Sequence, residues 1–162
     1  MRVIFLDVDG VLNSQQLADK IGYGGHYDEN VPATEKNTLW GQDMVNNLKR
    51  IVETTESQIV MSSTWRIYFS TKKFKEMFAV YGWEDAPIID RTPGGYANRG
   101  MEINRWLADQ QERNIVVENY VILDDFPDFL PEQDSHFVET NPEIGLTDDD
   151  AHRAITILNR QL

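Results

Sequence analysis

Two aspartates, Asp7 and Asp9, follow directly on the apolar run 3–6 near the start of the chain. A short apolar run of this kind is typical of a strand that is buried on both faces. Ligands of an open parallel sheet bind at the carboxyl ends of the strands, so two acids at such an end lie at the mouth of a crevice. Two negative charges held this close together either raise a pKa or require a cation, and their oxygen ligands favour a hard divalent ion such as Mg²⁺.

The same residues admit a simpler interpretation. Asp and Gly are favoured in turns for backbone reasons, so the segment from Asp7 to Gly10 could be a strand end followed by an ordinary turn. An EF-hand calcium loop is excluded, because Val11 and Leu12 stand where that motif has further oxygen ligands. The turn alternative stays open on these residues alone.

A second group of polar residues follows the apolar run 58–61: Ser62, Ser63, Thr64, Trp65 and Arg66. If the strands are parallel neighbours, these hydroxyl, indole and guanidinium groups reach the same crevice as Asp7. The alternative is that Ser and Thr cap the next helix. Both can hold, since a helix N-terminus itself binds anions.

The apolar run 120–123 repeats the opening pattern, because it stops at Asp124 and Asp125, with Asp128 one helical turn further on. Paired carboxylates at two strand ends, with hydroxyls at a third, predict a magnesium site that faces a phosphate. Arg99 begins a predicted helix with an apolar face, so its guanidinium is expected at the edge of this crevice.

The remaining pattern alternates strands with helices. Strands are predicted at 3–6, 58–61, 87–90, 120–123 and 136–138, and helices at 42–55, 70–81, from 99 and from about 147, with a helical turn at 15–21. By the right-handed crossover rule this order gives an α/β, Rossmann-like parallel sheet of about five strands with helices on both faces. We expect one domain over 1–162, with a minimal cap formed by a flap at 14–41.

Composition limits the classes of function. The 162 residues include no cysteine, which excludes disulfides, thiolate zinc sites and cysteine nucleophiles. The start of the chain lacks a signal-peptide pattern and no run is long enough to span a membrane, so we expect a cytoplasmic protein without membrane contact. The net charge of −12 repels polyanions and argues against tight nonspecific nucleic-acid binding.

These motifs together resemble the haloacid dehalogenase (HAD) superfamily of phosphotransferases. Asp7-Val8-Asp9-Gly10-Val11 resembles its first motif, Ile59-Val60-Met61-Ser62 its second, and Val121-Ile122-Leu123-Asp124-Asp125 its fourth. For the basic third motif we choose Arg99, with Arg66, Arg91 and Arg105 as alternatives. The segment 62–66 and Gly145-Leu146-Thr147 resemble a small capless subgroup that includes the HAD domains of RNA-repair enzymes.

The resemblance implies a magnesium-dependent phosphomonoester phosphatase. Asp7 would be the nucleophile that forms an aspartyl-phosphate, and Asp9 the general acid and base. Ser62 and Arg99 would hold the phosphoryl oxygens, and Ser63 and Arg66 would contact the substrate. The implied metal ligands are Asp7, the carbonyl of Asp9, and Asp125, with Asp124 or Asp128 reaching Mg²⁺ through water.

The expected partner is a phosphorylated small molecule or the phosphorylated end of a nucleic acid. A non-enzymatic alternative is a receiver-like phospho-acceptor or phosphate-sensing domain, which also combines acids, a Ser or Thr and a basic residue on a parallel sheet. Asp9 discriminates between them, because a phosphatase needs an acid and base two residues after the nucleophile and a receiver does not. Transfer of the phosphoryl group to a second substrate is a third possibility.

Overall fold

The computed structural model of the protein describes residues 1–21 and 28–160. Its strands are β1 (Arg2–Leu6), β2 (Gln58–Met61), β3 (Ile88–Arg91), β4 (Asn119–Asp124) and β5 (Phe137–Glu139). Its helices are α1 (Gln15–Ile21), α2 (Glu35–Thr38), α3 (Gln42–Thr55), α4 (Thr71–Val80), α5 (Arg99–Glu112) and α6 (Asp148–Leu158). Two 3₁₀ turns cover Thr64–Ile67 and Pro131–His136.

The five strands form one sheet in the order β3-β2-β1-β4-β5, and every neighbouring pair is parallel. At the centre of the sheet, Leu6 is level with Met61 on one side and with Leu123 on the other. Because the strands are parallel, the segments that follow these three residues leave the sheet at the same edge. The predicted α/β, Rossmann-like architecture is confirmed.

Successive residues of β1 serve two separate hydrophobic cores. Ile4 and Leu6 pack in a cluster with side chains of α3, α4 and α6, whereas Val3 and Phe5 pack in another with Ile103 and Trp106 of α5. This division follows from the strand period of two, which sends alternate side chains to opposite faces. Helices therefore cover both faces of the sheet, as the sequence predicts.

Helix starts near the site are set by side-chain caps. Asn98 precedes α5 and accepts a hydrogen bond from the Met101 N–H at 2.9 Å, so Arg99 is the first residue of that helix. Ser70 caps α4 by accepting from the Lys73 N–H at 3.1 Å. Thr147 and Asp150 cap α6 reciprocally, which agrees with the predicted helix start at Thr147.

The predicted strands and long helices agree with those observed to within one residue at each predicted end. The sequence missed α2 and both 3₁₀ turns, because segments of four to six residues are too short to show a helical period. The predicted flap at 14–41 contains α1 and α2, but its residues 22–27 lie outside the described residues. No helix in the described part of the chain is both long and apolar enough to cross a membrane.

Candidate active site

Three aspartates meet at the carboxyl ends of β1 and β4, and we call them the carboxylate cluster: Asp7, Asp124 and Asp125. Each offers a carboxylate oxygen that lies within 4.8 Å of the other two. The pairing of β1 with β4 sets this approach, since the Asp7 N–H donates to the Leu123 carbonyl at 3.0 Å. Asp7 and Asp124 are buried, with 5% and 1% of their surface exposed.

The cluster concentrates negative charge away from water. Burial raises the pKa of Asp124 to about 7, and the charge of Asp7 acts in the same direction. Burial and Asp7 likewise raise the pKa of Asp125. Three converging carboxylates are the hard oxygen ligands that Mg²⁺ prefers, and a divalent ion would relieve their repulsion. The residues present therefore fit Mg²⁺.

Arg99 is the basic residue of the cluster. Its Nη1 lies 3.2 Å from the Asp7 Oδ2 and forms an ion pair with the Asp124 carboxylate. Burial alone would lower the pKa of Arg99, but the charges of Asp7 and Asp124 outweigh it and the pKa is raised. The backbone N–H of Arg99 donates to Asp128 at 3.1 Å, which links Asp128 to the start of α5.

The alternatives for the third motif bind elsewhere. Arg91 donates to the carbonyls of Arg66 and Phe69, and Arg105 pairs with Asp109 and Glu112 along α5. Their positions leave Arg99 as the candidate whose guanidinium contacts the predicted nucleophile.

Gly10 allows the two acidic strand ends to approach each other. Its φ of +71° is in the left-handed region, and a Cβ at this position would lie 2.5 Å from Cγ of Asp125. The Thr140 hydroxyl donates to the Gly10 carbonyl at 2.8 Å and fixes the loop from the other side. A side chain at residue 10 would thus separate β1 from Asp125.

Asp9 is exposed and is not one of the three residues of the carboxylate cluster. Its Oδ2 accepts a hydrogen bond from the Trp65 Nε1–H at 2.9 Å, and its Oδ1 accepts one from the Asn13 side-chain amide at 2.8 Å. Asn13 in turn accepts from the Gly10 N–H at 2.9 Å. A metal role for Asp9 stays a prediction, which the family resemblance assigns to its backbone carbonyl.

Ser62 follows β2 beside the cluster. Its N–H donates to the Leu6 carbonyl at 2.9 Å, and its side chain is fully buried. The Ser62 Oγ has no hydrogen-bond partner within residues 1–21 and 28–160. Because an unpaired buried hydroxyl is unfavourable, this orphan group is a candidate to bind a ligand oxygen.

Ser63 caps the 3₁₀ turn that follows β2. Its Oγ accepts from the Trp65 N–H at 3.3 Å, so the capping interpretation of this segment holds for Ser63. Its predicted contact with substrate stays a prediction.

Arg66 lies at the centre of a group of contacts that we call the Arg66 network. Its Nε donates to the Thr92 carbonyl at 3.0 Å, and its Nη1 to the carbonyls of Ser62 at 3.1 Å and Ser63 at 2.8 Å. Its Nη2 donates to the Glu102 carboxylate at 2.6 Å. All three guanidinium nitrogens thus hold protein groups, and this geometry favours a structural role over the predicted substrate contact.

Sequence reasoning missed Asn13, Glu102 and the role of Trp65. Glu102 is one helical turn after Arg99, but nothing in its local sequence connects it with Arg66, which is 36 residues away. Trp65 was visible as an unusual residue between hydroxyls and a guanidinium, but its hydrogen bond to Asp9 depends on how β1 and β2 pair.

A cavity of about 760 Å³ adjoins the site and is lined by Asp9, Gly10, Asn13 and Asp125 together with residues of α1. Another cavity, of about 660 Å³, lies at the opposite end of the strands, where β4 begins. None of the predicted site residues line it. The first cavity is therefore the candidate space for a substrate.

Comparison with known proteins agrees with this geometry. A family model described as the HAD domain in Swiss Army Knife RNA repair proteins matches residues 3–151, which include both acidic strand ends, Ser62 and Arg99. A search of curated proteins and a search of solved structures each gave no match. The family match supports a HAD-type phosphatase in general terms. Since the match extends over nearly the whole sequence, the chain belongs to the family of HAD domains found in Swiss Army Knife RNA repair proteins.

Proposed function

We propose that this protein is a magnesium-dependent phosphomonoester phosphatase that acts through an aspartyl-phosphate on Asp7. The observation that carries the proposal is the convergence of Asp7 with Asp124, Asp125 and Arg99. The three carboxylates approach within 4.8 Å, and Arg99 Nη1 lies 3.2 Å from Asp7. This arrangement supports the proposal, because the Asp7 carboxylate is the type of group that acts as a nucleophile and the Arg99 guanidinium beside it is the type of group that stabilises a phosphoryl group.

In the first step, a carboxylate oxygen of Asp7 attacks the phosphorus atom. A bond forms between Asp7 and phosphorus while the bond from phosphorus to the leaving oxygen breaks. Asp9 donates a proton to that leaving oxygen, so the alcohol departs neutral. Arg99 and the buried hydroxyl of Ser62 would hold the phosphoryl oxygens as charge develops on them.

In the second step, water attacks the phosphorus of the aspartyl-phosphate. Asp9, now a carboxylate, takes a proton from that water, and the bond between Asp7 and phosphorus breaks. Inorganic phosphate leaves, and Asp9 is again protonated for the next cycle. One residue thus serves as acid and base in turn, which divides a slow displacement into two easier ones.

Asp7 and Asp125 are the direct metal ligands that the contacts favour. Asp124 already accepts hydrogen bonds on both oxygens, from Arg99 on Oδ2 and from the Phe126 N–H on Oδ1. A bound Mg²⁺ would neutralise charge on the transferring phosphoryl group. Asp124 would contact the Mg²⁺ ion through a water molecule and would keep the Arg99 guanidinium oriented.

The substrate class that we propose is a phosphorylated nucleotide, the phosphorylated end of a nucleic acid, or another phosphorylated metabolite. A nucleic-acid end is supported by the match to a family of domains found in RNA repair proteins. Against long nucleic acids stands the net charge of −12, which would repel a polyanion. A substrate that is short, or that binds only through its phosphorylated end, is compatible with both the family match and the negative net charge.

The test is release of inorganic phosphate from p-nitrophenyl phosphate, nucleotides and end-phosphorylated oligonucleotides, with Mg²⁺ and with EDTA. We expect turnover that requires Mg²⁺, together with an acyl-phosphate at Asp7 that hydroxylamine converts to a hydroxamate detectable by mass spectrometry. Asp148→Asn is a control for the removal of an aspartate outside the site, and it should keep wild-type turnover. Asp148 pairs with Arg50 and does not belong to the carboxylate cluster. A stable acyl-phosphate with negligible turnover would instead favour the receiver-like alternative.

A further inference from the structure

We propose that Trp65 is a positioning residue that holds Asp9 in the orientation needed for proton transfer. This inference rests on the proposed function, because it concerns the residue to which we assign the roles of general acid and base. Neither the family description nor the motif pattern gives Trp65 a function.

The contact is direct and well formed. The indole Nε1–H of Trp65 donates to the Asp9 Oδ2 at 2.9 Å, a normal hydrogen-bond length. The Asn13 amide donates to the other oxygen at 2.8 Å. A carboxylate with one donor on each oxygen has its plane fixed, whereas an exposed aspartate without donors would rotate freely.

Two donors still leave Asp9 able to work. Each carboxylate oxygen has two lone pairs, and each donor uses only one of them. The remaining lone pairs can carry the proton that passes to the leaving oxygen and later accept one from water. Trp65 and Asn13 therefore orient Asp9 without blocking the proposed chemistry.

Trp65 is itself held rigidly. It belongs to the 3₁₀ turn Thr64–Ile67, and its side chain is 5% exposed and packs on Phe69 and Trp40 at ring-centroid distances of 5.6 Å and 6.3 Å. Behind the turn, Arg66 binds the carbonyls of Ser62 and Ser63. The indole is thus fixed to the end of β2, and it transmits that position to Asp9 on the loop after β1.

The experiment compares Trp65→Phe with Trp40→Phe over a series of phosphate monoesters that runs from p-nitrophenyl phosphate to alkyl phosphates. Both substitutions remove an indole from the same aromatic group. Trp40 is a matched control because its Nε1 has no hydrogen-bond partner in the part of the chain that the structure describes. Thermal unfolding of both variants shows how much of any change comes from lost packing.

For Trp65→Phe we expect kcat on alkyl phosphates to fall about tenfold or more, the factor that a hydrogen bond to a charged group can contribute. On p-nitrophenyl phosphate, whose leaving group needs little protonation, we expect a loss of less than about threefold. Trp40→Phe should keep the wild-type dependence on the leaving group. A Trp65→Phe enzyme with that same wild-type dependence would overturn the proposal.

Asp9→Asn separates this proposal from the function on which it rests. If Asp9→Asn changes the leaving-group dependence and a folded Trp65→Phe does not, the positioning role is wrong and the acid role stands. If neither changes it, both roles are wrong. Should Trp65→Phe fail to fold, the Trp65 indole ¹⁵N–¹H resonance is compared between the wild type and Asp9→Asn, and an unchanged resonance would overturn the contact.

Discussion

Two arginines, the half-buried Arg99 and the buried Arg66, have different surroundings and different roles. Arg99 faces the carboxylates of Asp7 and Asp124, whereas Arg66 faces three backbone carbonyls and Glu102. Burial acts to lower the pKa of both guanidinium groups. For Arg99 the neighbouring carboxylates reverse this and raise the pKa, while for Arg66 burial outweighs Glu102 and the pKa is lowered.

The difference shows how the surroundings of an arginine indicate its use. The carboxylates around Arg99 are in excess, since three acids converge there with one guanidinium, and this excess of negative charge favours the binding of a metal cation. The Arg66 network is closed, because every guanidinium nitrogen has a partner within the protein. An open set of charges favours ligand binding, and a closed one favours a structural role.

The largest effect is expected from Asp7→Asn, which removes the proposed nucleophile from the group of charges around Arg99. Phosphate release should become undetectable, because an amide cannot form the aspartyl-phosphate. The free energy of unfolding without metal should not fall, since one of three repelling charges is gone. Steady-state kinetics and urea unfolding measure the two quantities, and undiminished turnover would exclude Asp7 as the nucleophile.

Arg66→Met tests the structural role of the Arg66 network. It leaves Glu102 buried and unpaired, so the free energy of unfolding should fall by about 3–5 kcal/mol, the usual cost of breaking a buried ion pair from one side. Added Mg²⁺ should not restore the loss, because the carbonyls that lose their donor are not metal ligands in this site. Urea unfolding with and without Mg²⁺ makes the measurement.

A matched double variant, Arg66→Met with Glu102→Leu, should recover much of that stability, because no unpaired charge is then buried. If Arg66→Met left stability unchanged but raised KM strongly, the original prediction of a substrate contact would be favoured instead.

Arg99→Met is expected to act mainly on catalysis. Loss of one preorganised donor to the phosphoryl group should raise the barrier by about 2–4 kcal/mol. The variant should also be less stable in EDTA, since Asp7 and Asp124 lose their counter-charge, and here Mg²⁺ should restore stability because another cation can take that place. A loss that Mg²⁺ fails to restore would remove the contrast between the two arginines.

The smallest effect concerns pH. The pKa of Asp124 is raised to about 7 in the folded protein from 3.8, so the folded state holds a proton between these values that the unfolded state releases. In EDTA, the contribution of Asp124 to stability should therefore be lost as the pH rises from about 4 to 7. Thermal midpoints across this range should fall more for the wild type than for Asp124→Asn, and equal slopes would contradict the shift.

The sequence predicts the main residues of the site because each of them belongs to a motif that is visible in the local sequence. A buried run that stops at acids is visible for β1 and for β4, and a parallel sheet then requires the two ends to be neighbours if the strands are adjacent. The prediction that Arg99 lies at the crevice edge also depended on local pattern, the apolar face of α5. The structure brings all of these residues together.

Contacts between segments distant in the chain were less predictable. Arg66 carries the same charge as Arg99 and stands in a more conspicuous motif, yet its partners Thr92 and Glu102 are 26 and 36 residues away. The sequence predicted that the Trp65 indole reaches the same crevice as Asp7, but it did not predict the hydrogen bond to Asp9, which is 56 residues away. Local sequence identifies which groups can react or bind, but the partners that occupy them are known only from the packing of β2 against β1 and α5.

Gly10 has no side chain, and this allows the spacing of the site to be changed without replacing any of its reactive groups. The Thr140 hydroxyl holds the Gly10 carbonyl on one side and Asp125 stands within 2.5 Å of a Cβ on the other, so an added methyl group has no room to move away. Gly10→Ala would widen the gap between β1 and Asp125 while leaving the proposed metal ligands Asp7 and Asp125 chemically intact. If the protein binds Mg²⁺ as proposed, the substitution should weaken affinity for the ion through spacing alone.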